Sequence, residues 1–380
     1  MRRIRYILIL ICLIFLLCPD KWIKITKKIF FPEKIIHVFI DEASYAAFQQ
    51  MIYLFQLPDD EMKIVWWQRF SKQEERLRVH HQNLVLPKTP EKLNITLSVL
   101  HQTFPHAKFD FHINYSHMGG KALRAISEIP IHRVRYLHVY EDSALQLYQK
   151  RYSLVHNKQN IRQSVIKIIK SIQDKNPEYY FPYLNTLPYV YPTIFHVSYM
   201  DKLKQNPAYN QLFTIPNLIW QSFDLQNEIK NLSPDIKNKI FDMLGFDIQS
   251  VLNQLDGHPM GVLLLSVQDD PNKPDEKRKK LYQIVQENAK KQGTVWFVKN
   301  HPINKNYKPF DNLHIIENHI PFEILLLADL PIRYVAGDGS SAYFSLNPNK
   351  NEIIAYIPWK NFYFQTLLEL GILKESKIIK

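Results

Sequence analysis

The sequence predicts an α/β protein built from two Rossmann-like, doubly wound domains facing a cleft. Three observations lead there. Short β-branched runs alternate with helical-period segments at both ends of the chain, the pattern of parallel sheets covered on both faces. A proline-punctuated middle separates the two alternating halves. The length of 380 residues exceeds one ordinary core and suits two.

In the first half, Ile35-Ile-His-Val-Phe-Ile40 reads as a strand ending at Asp41, followed by a helix over Ala43–Phe55. Lys63–Trp67 is a second strand and Leu84–Leu86 a weaker third. Glu91–Phe104 carries Leu93, Leu97, Leu100 and Phe104 at helical spacing. Phe109–Ile113 and Val134–Tyr140 are further strands around a helix near Lys121–Glu128. The middle, Ser143 to Asp256, reads as mostly helical, with Pro177, Pro182, Pro188 and Pro192 marking the crossover. Ser233-Pro234 starts a helix there, since serine caps and proline suits the first turn.

Alternation then resumes. Val262–Ser266, Thr294–Val298, His314–Ile316, Tyr334–Ala336 and Ile353–Ile357 read as strands. Lys277–Gln292, Pro321–Leu327, a segment from Ser340 and a terminal segment from Asn361 read as helices. The expected division is 1–30 as a leader or anchor, 31–155 and 156–360 as the two domains, and 361–380 as a helix packing back on the first domain.

Hydrophobic residues make up 46% of the chain and aromatics 13%, which excludes global disorder. The net charge of +12 favours an anionic partner without choosing among nucleic acid, membrane surface and phosphorylated substrate. Both cysteines, Cys12 and Cys18, lie in an N-terminal apolar run, so the globular part has no disulfide and no cysteine nucleophile or metal ligand. That run, Tyr6–Cys18, follows Arg2, Arg3 and Arg5 and precedes Lys21, Trp22, Lys24, Lys27 and Lys28. It reads as a signal sequence or short signal anchor, shorter than the ~20 residues of a full span. The expectation is association with a membrane, at its cytoplasmic face. The basic run Lys277–Lys280 lacks interleaved aromatics, so it reads as a solvated helix face and nucleic acid is not an expected partner.

Three segments carry candidate chemistry. Phe297-Val-Lys-Asn-His-Pro302 delivers Lys299 and His301 at a strand end, a fixed cation and a group titrating near neutrality, with Pro302 stopping the strand. Gly337-Asp-Gly-Ser-Ser341 offers Ser340, Ser341 and following backbone N–H groups to an anion; a turn with capping serines fits equally well. Tyr140-Glu-Asp-Ser143 places Glu141 and Asp142 at a strand's carboxyl end, either as a general base or as a solvated helix cap. Glu323 opens a helix, where it favours the dipole or accepts from a ribose. No Asp-x-Asp, His-Glu-x-x-His or Gly-x-Gly-x-x-Gly occurs.

In this order, the acidic, His-Pro and Ser-Ser segments resemble those of the bacterial sialyltransferases of glycosyltransferase family 80. The likeness extends to Val38–Ser44, His112–His117, Leu232–Phe246 and Ile320–Glu323, and covers the chain from about residue 35 onward. Two departures stand out: Ser143 replaces the family's glycine after the acidic pair, and Asn300 replaces the glycine before His-Pro. Ser266–Asp270 also lacks the threonine-rich, tryptophan-bearing pattern near the acceptor in some members. The resemblance implies a GT-B fold and a CMP-sialic acid donor, with no cofactor and no metal. It implies Asp142 as the base on an acceptor hydroxyl and His301 at the departing phosphate. Lys299, Ser340 and Ser341 would hold that phosphate, Glu323 the nucleoside and Asn114 the donor sugar, with Pro302 also on the donor-binding side. Asp41 and Glu141 would line the acceptor side of the cleft. The acceptor implied is a terminal sugar, galactose, of a surface glycolipid such as lipooligosaccharide. The runners-up are transfer of another CMP-activated acid sugar (CMP-Kdo type) and an inactive membrane-tethered glycan- or CMP-binding protein.

Overall fold

The computed structural model describes residues 34–42, 44–70, 73–114, 120–140, 158–174, 187–205, 207–265, 276–301, 307–338, 340–356, 367–368, 370–374 and 378–379. Two all-parallel sheets organise the chain. The first contains β1 (Ile35–Asp41), β2 (Met62–Trp67), β3 (Leu84–Val85), β4 (Lys108–Asn114), β5 (Val134–Tyr140), β6 (Thr193–Val197) and β7 (Leu218–Ser222). Their order is β3-β2-β1-β4-β5-β6-β7. The second contains β8 (Met260–Leu265), β9 (Val295–Asn300), β10 (His314–Ile316), β11 (Ile332–Asp338), β12 (Glu352–Tyr356) and β13 (Ile378–Ile379), in the order β10-β9-β8-β11-β12-β13. Parallel strands covered on both faces are apolar nearly throughout. Accordingly β8, Met-Gly-Val-Leu-Leu-Leu, is buried at every position.

The helices are α1 (Ser44–Gln56), α2 (Glu74–His80), α3 (Pro90–Thr103), α4 (Gly120–Ser127), α5 (Lys158–Gln173), α6 (Met200–Gln205), α7 (Leu225–Asn231), α8 (Pro234–Leu244), α9 (Ile248–Leu255), α10 (Glu276–Gln292) and α11 (Glu323–Leu327). Their ends obey local rules. Thr89 caps α3 by accepting from the Lys92 N–H at 3.3 Å, with Pro90 in the first turn. Ser233 does the same for α8 through the Ile236 N–H. Gly245 then ends α8 at φ +67°, a left-handed conformation that favours glycine.

Helices α7 and α8 join the two halves. Both pack on α1, α8 also packs on α2, and α7 reaches α11 of the second half. One apolar cluster therefore runs from Phe48 and Leu77 through Ile240 and Leu244 to Phe297 and Ile324. Polar contacts reinforce the junction: His80 Nε2 to Asp242 Oδ2 at 2.9 Å, Tyr199 Oη to the Leu346 carbonyl at 3.1 Å, and Gln226 Nε2 to the Ser345 carbonyl at 2.9 Å.

The structure departs from the sequence expectation in the middle of the chain. The first sheet does not stop at residue 155: β6 and β7 continue it to Ser222, so a boundary at 155/156 divides one sheet. The region read as mostly helical thus holds two strands. The expected terminal helix is described only at Leu367–Leu368, which are helical; 361–366 lie outside the described residues. The segment does reach the first half: Leu367, Leu370 and Leu373 are buried in the shared core, and Lys202 of α6 donates to the Leu370 carbonyl. No described helix is long and apolar enough to cross a membrane, and the apolar run Tyr6–Cys18 lies outside the described residues.

Candidate active site

In an open parallel sheet, ligands bind beyond the carboxyl ends of the strands where the strand order reverses. In the first sheet that point lies between β1 and β4. β1 ends at Asp41 and β4 at Asn114, and the register of Ile40 with Ile113 sets these two side by side. Both are buried, and Asn114 Nδ2 donates to Asp41 Oδ1 at 3.3 Å. Gln50 of α1 donates to the other carboxylate oxygen at 2.9 Å, while its own carbonyl accepts from Trp67 Nε1 at 2.8 Å. A carboxylate held by two amides keeps a fixed orientation. Tyr140, in register with Asn114 on β5, is the residue from which Glu141 and Asp142 follow. Glu141 and Asp142 themselves lie outside the described residues.

In the second sheet the reversal lies between β8 and β11. Lys299, Leu264 and Gly337 share one row across β9, β8 and β11, which separates Lys299 from Gly337 by two strand spacings, about 9–10 Å. Glycine is required at 337 by close approach: a Cβ there would sit 2.1 Å from the Leu264 carbonyl oxygen. Strand β9 runs two residues further than its apolar run suggests, so Lys299 is inside the sheet rather than beyond it. Its ammonium donates to the carbonyls of Asn300 (2.8 Å) and Asn318 (3.2 Å). Burial lowers its pKa to about 8, partly opposed by the carboxylate of Glu323, so the ammonium stays mostly charged at neutrality. Lys299 thus ties the end of β9 to the loop after β10 and adds a positive charge at this edge. Glu323 is buried in the first turn of α11. His301 follows β9 directly and is half-buried; Pro302 lies outside the described residues.

The segment after β11 differs from expectation. Ser340 precedes a five-residue 3-10 turn, Ser341–Ser345, not an α-helix. The Ser340 hydroxyl caps that turn by accepting from the Ala342 N–H at 3.3 Å, and Tyr343 Oη donates back to the Gly337 carbonyl at 2.9 Å. So short a turn has little dipole, and any anion here is held by local N–H and hydroxyl groups. The structure therefore gathers Lys299, His301, Glu323, Ser340 and the backbone of Ser341 at one carboxyl edge, and Asp41 and Asn114 at the other. Gln50 and Trp67, which orient Asp41, escaped the sequence reading.

Two doubly wound parallel sheets joined by packed helices, each with polar groups at its switch point, define a GT-B fold. Solved structures sharing it include the α/β-galactoside α-2,3-sialyltransferase of Photobacterium phosphoreum, with a TM-score of 0.74 and 21% identity over 91% of this chain and 98% of that one. The 2,6-sialyltransferase of Photobacterium sp. JT-ISH-224, solved with CMP and lactose, superposes with a TM-score of 0.71 at 18% identity, covering 91% and 78% of the two chains. The GT-B domain of the Photobacterium damselae sialyltransferase gives 0.67 at 18% identity, covering 90% and 99%. No protein-family profile and no curated protein sequence matches this chain.

Proposed function

We propose that the protein is an inverting sialyltransferase that moves sialic acid from CMP-sialic acid to a terminal galactose of a surface glycolipid such as lipooligosaccharide. The observation that carries this reading is positional. Of the segments resembling family 80, Tyr140 ends β5, His301 follows β9 and Ser340 follows β11, in a fold shared along nearly its whole length with sialyltransferases, one of them bound to CMP and lactose.

In this account the acceptor hydroxyl oxygen attacks the anomeric carbon as the bond from that carbon to the phosphate oxygen breaks. Asp142 takes the hydroxyl proton, and the bonding electrons leave with CMP. His301 donates to the departing phosphate, which Ser340 and Ser341 also hold. Lys299 supplies charge from behind, through the loop ends that it fixes. Glu323 takes the nucleoside, Asn114 the donor sugar, and Asp41, which Asn114 contacts, and Glu141 the acceptor side. A general base is worth roughly 10²–10⁴-fold, and each fixed donor at the leaving group roughly 3–4 kcal/mol. Lysine, histidine and hydroxyls then provide the charge stabilisation that a divalent ion would otherwise supply, so no metal or cofactor enters the proposal. The basic, apolar N-terminal segment would hold the enzyme at the cytoplasmic face of a bacterial membrane beside its glycolipid acceptor.

Incubation with lactose and either CMP-sialic acid or CMP-Kdo tests the donor. Sialyllactose from the first alone is the expected result. Transfer from CMP-Kdo alone would replace the donor assignment, and CMP binding without transfer from either would make the protein a binding module.

A further inference from the structure

Helices α3, α4 and α5 each carry the chain toward the β7 edge of the first sheet, whereas α1 and α2 carry it toward β3. Right-handed crossovers therefore put α3, α4 and α5 on one face and α1 and α2 on the other. The α1–α2 face takes the packing of α7 and α8. The other three helices, with α4 packed against both α3 and α5, form an outer layer facing away from the second half.

This layer combines exposed apolar side chains with charge of one sign. Ile95 and Val99, a turn apart on α3 and opposite its buried Leu93 and Leu97, are 63% and 54% exposed, and Ile166 on α5 is 56% exposed. Lys92, Arg124, Arg162, Lys167 and Lys170 are exposed around them. The three helices contain one acid, Glu91, and Lys121 pairs outside them with Glu42 at 2.6 Å. Arg162, Ile166 and Lys170 fall four residues apart, so a cation flanks the exposed isoleucine on each side along one row. That is the pattern of an interfacial helix, whose apolar tips enter the acyl boundary while basic stems spread to the phosphates. The solvated helix α10 is built differently: its Lys279 and Lys291 pair with Glu276 at 2.6 Å and Glu287 at 3.0 Å, whereas α5 has no acid to pair with.

We propose that α3, α4 and α5 form a docking face for an anionic lipid bilayer. The inference deepens the membrane association proposed above, since the folded domain itself then touches the membrane besides the N-terminal segment. The point where the chain enters the fold supports this occupant. Residues 1–33, with their apolar run and lysines, join the described chain at Lys34. The Lys34 carbonyl accepts from the Lys108 N–H at 2.9 Å, and its ammonium lies 5.4 Å from the ring of Phe104, at the C-terminal end of α3. The stretch Pro19–Glu33 between the apolar run and Lys34 spans at most roughly 50 Å. An N-terminal run seated in a bilayer therefore keeps this layer beside it. With the layer on the bilayer, the strand ends carrying Asp41 and Asn114 open along the membrane surface, where a glycolipid headgroup lies.

The test is lysine acetylation of the full chain, read residue by residue by mass spectrometry, with and without vesicles. Vesicles of phosphatidylglycerol and phosphatidylethanolamine should slow acetylation of Lys92, Lys167 and Lys170 at least about fivefold, the effect of one cation held at an anionic surface. Salt at about 0.5 M should abolish the protection. Lys279 and Lys280 on α10 should react as before, and phosphatidylcholine vesicles should protect none of these lysines. In the variant Arg162→Glu, Lys167→Glu, Lys170→Glu, Lys92 should lose its protection; Ile95→Ser with Val99→Ser should remove that of Lys167 and Lys170. All five substituted side chains are exposed, so thermal midpoints should stay at the wild-type value. Unprotected lysines in the wild type, equal protection of Lys279 and Lys280, or a protected Lys92 in the charge-reversed variant overturns the proposal. Protection by single-stranded RNA in place of anionic vesicles also overturns it and makes the face a nucleic-acid surface. Acetylation reads docking without catalysis, so a protein that transfers no sugar defeats the proposed function and leaves this result standing.

Discussion

Lowering the pH from 7 to 5 should destabilise this protein far more than its carboxylates explain, because of the four buried histidines. Burial holds His37 at a pKa of about 4, against the opposing charge of Asp110, and both His138 and His196 at about 3, with His112 displaced the same way; neighbouring imidazoles add to the effect at His112, His138 and His196. In the unfolded chain each returns to about 6.5. As the pH falls through that value, the unfolded state binds protons that the native state refuses, so stability falls. For one histidine the loss between pH 7 and pH 5 is about 2 kcal/mol. The three with values give on the order of 6 kcal/mol, a large share of the 5–15 kcal/mol that keeps a domain folded. The raised pKa of Glu61, also caused by burial, works in the opposite direction and trims this total. Urea titrations at the two pH values, followed by tryptophan fluorescence, measure the effect. The midpoint should drop steeply at pH 5 with an unchanged slope. His138→Phe should remove about 2 kcal/mol of the pH difference. An unchanged midpoint, or a His138→Phe variant with the full pH dependence, would refute the reasoning.

Three further outcomes are expected. Gly337→Ala should cost about 1–3 kcal/mol by overpacking β11 against Leu264; its thermal midpoint should fall and its CMP affinity weaken, and wild-type values for both would show that the row tolerates a Cβ. Lys299→Met should weaken CMP binding by calorimetry, and wild-type affinity should itself decline as the pH rises through about 8, where the buried ammonium loses its charge. A flat affinity from pH 7 to 9 would remove Lys299 from the phosphate. His301→Ala should lose more rate with CMP-sialic acid than with a donor carrying a better leaving group, and equal losses would count against its role there.

Much of this architecture is legible in the sequence because parallel strands buried on both faces leave short runs rich in β-branched and aromatic residues, as in Ile35–Ile40 and Val134–Tyr140, interrupted there only by Arg135 and the histidines His37 and His138. Strands β6 and β7 escape that signal. β6 is five residues long behind Pro192, and β7 is an edge strand whose Ile219 is half exposed, so neither alternation nor a continuous run survives. The burial of Lys299 is not legible because lysine is almost never buried unless paired; besides the neighbouring Asn300 carbonyl, its partners Asn318 and Glu323 come from further along the chain. The segment after Gly339 reads as a helix from its serines, yet Leu346-Asn-Pro348 follows and the chain closes only one 3-10 turn. The four buried histidines, from His37 to His196, are spread over 160 positions of sequence. Their one local trace is that His37, His112 and His138 share alternate strand positions with Phe39, Asp110 and Tyr140.

The most direct test of the central claim compares the wild-type protein with Asp142→Asn on CMP-sialic acid and lactose, in EDTA, with sialyllactose measured by mass. The wild type should form product in EDTA. Asp142→Asn should lose at least 100-fold in kcat, within the range a general base supplies, while binding CMP unchanged. A wild-type protein that forms no sialyllactose, or an Asp142→Asn variant that forms it at the wild-type rate, would contradict the account.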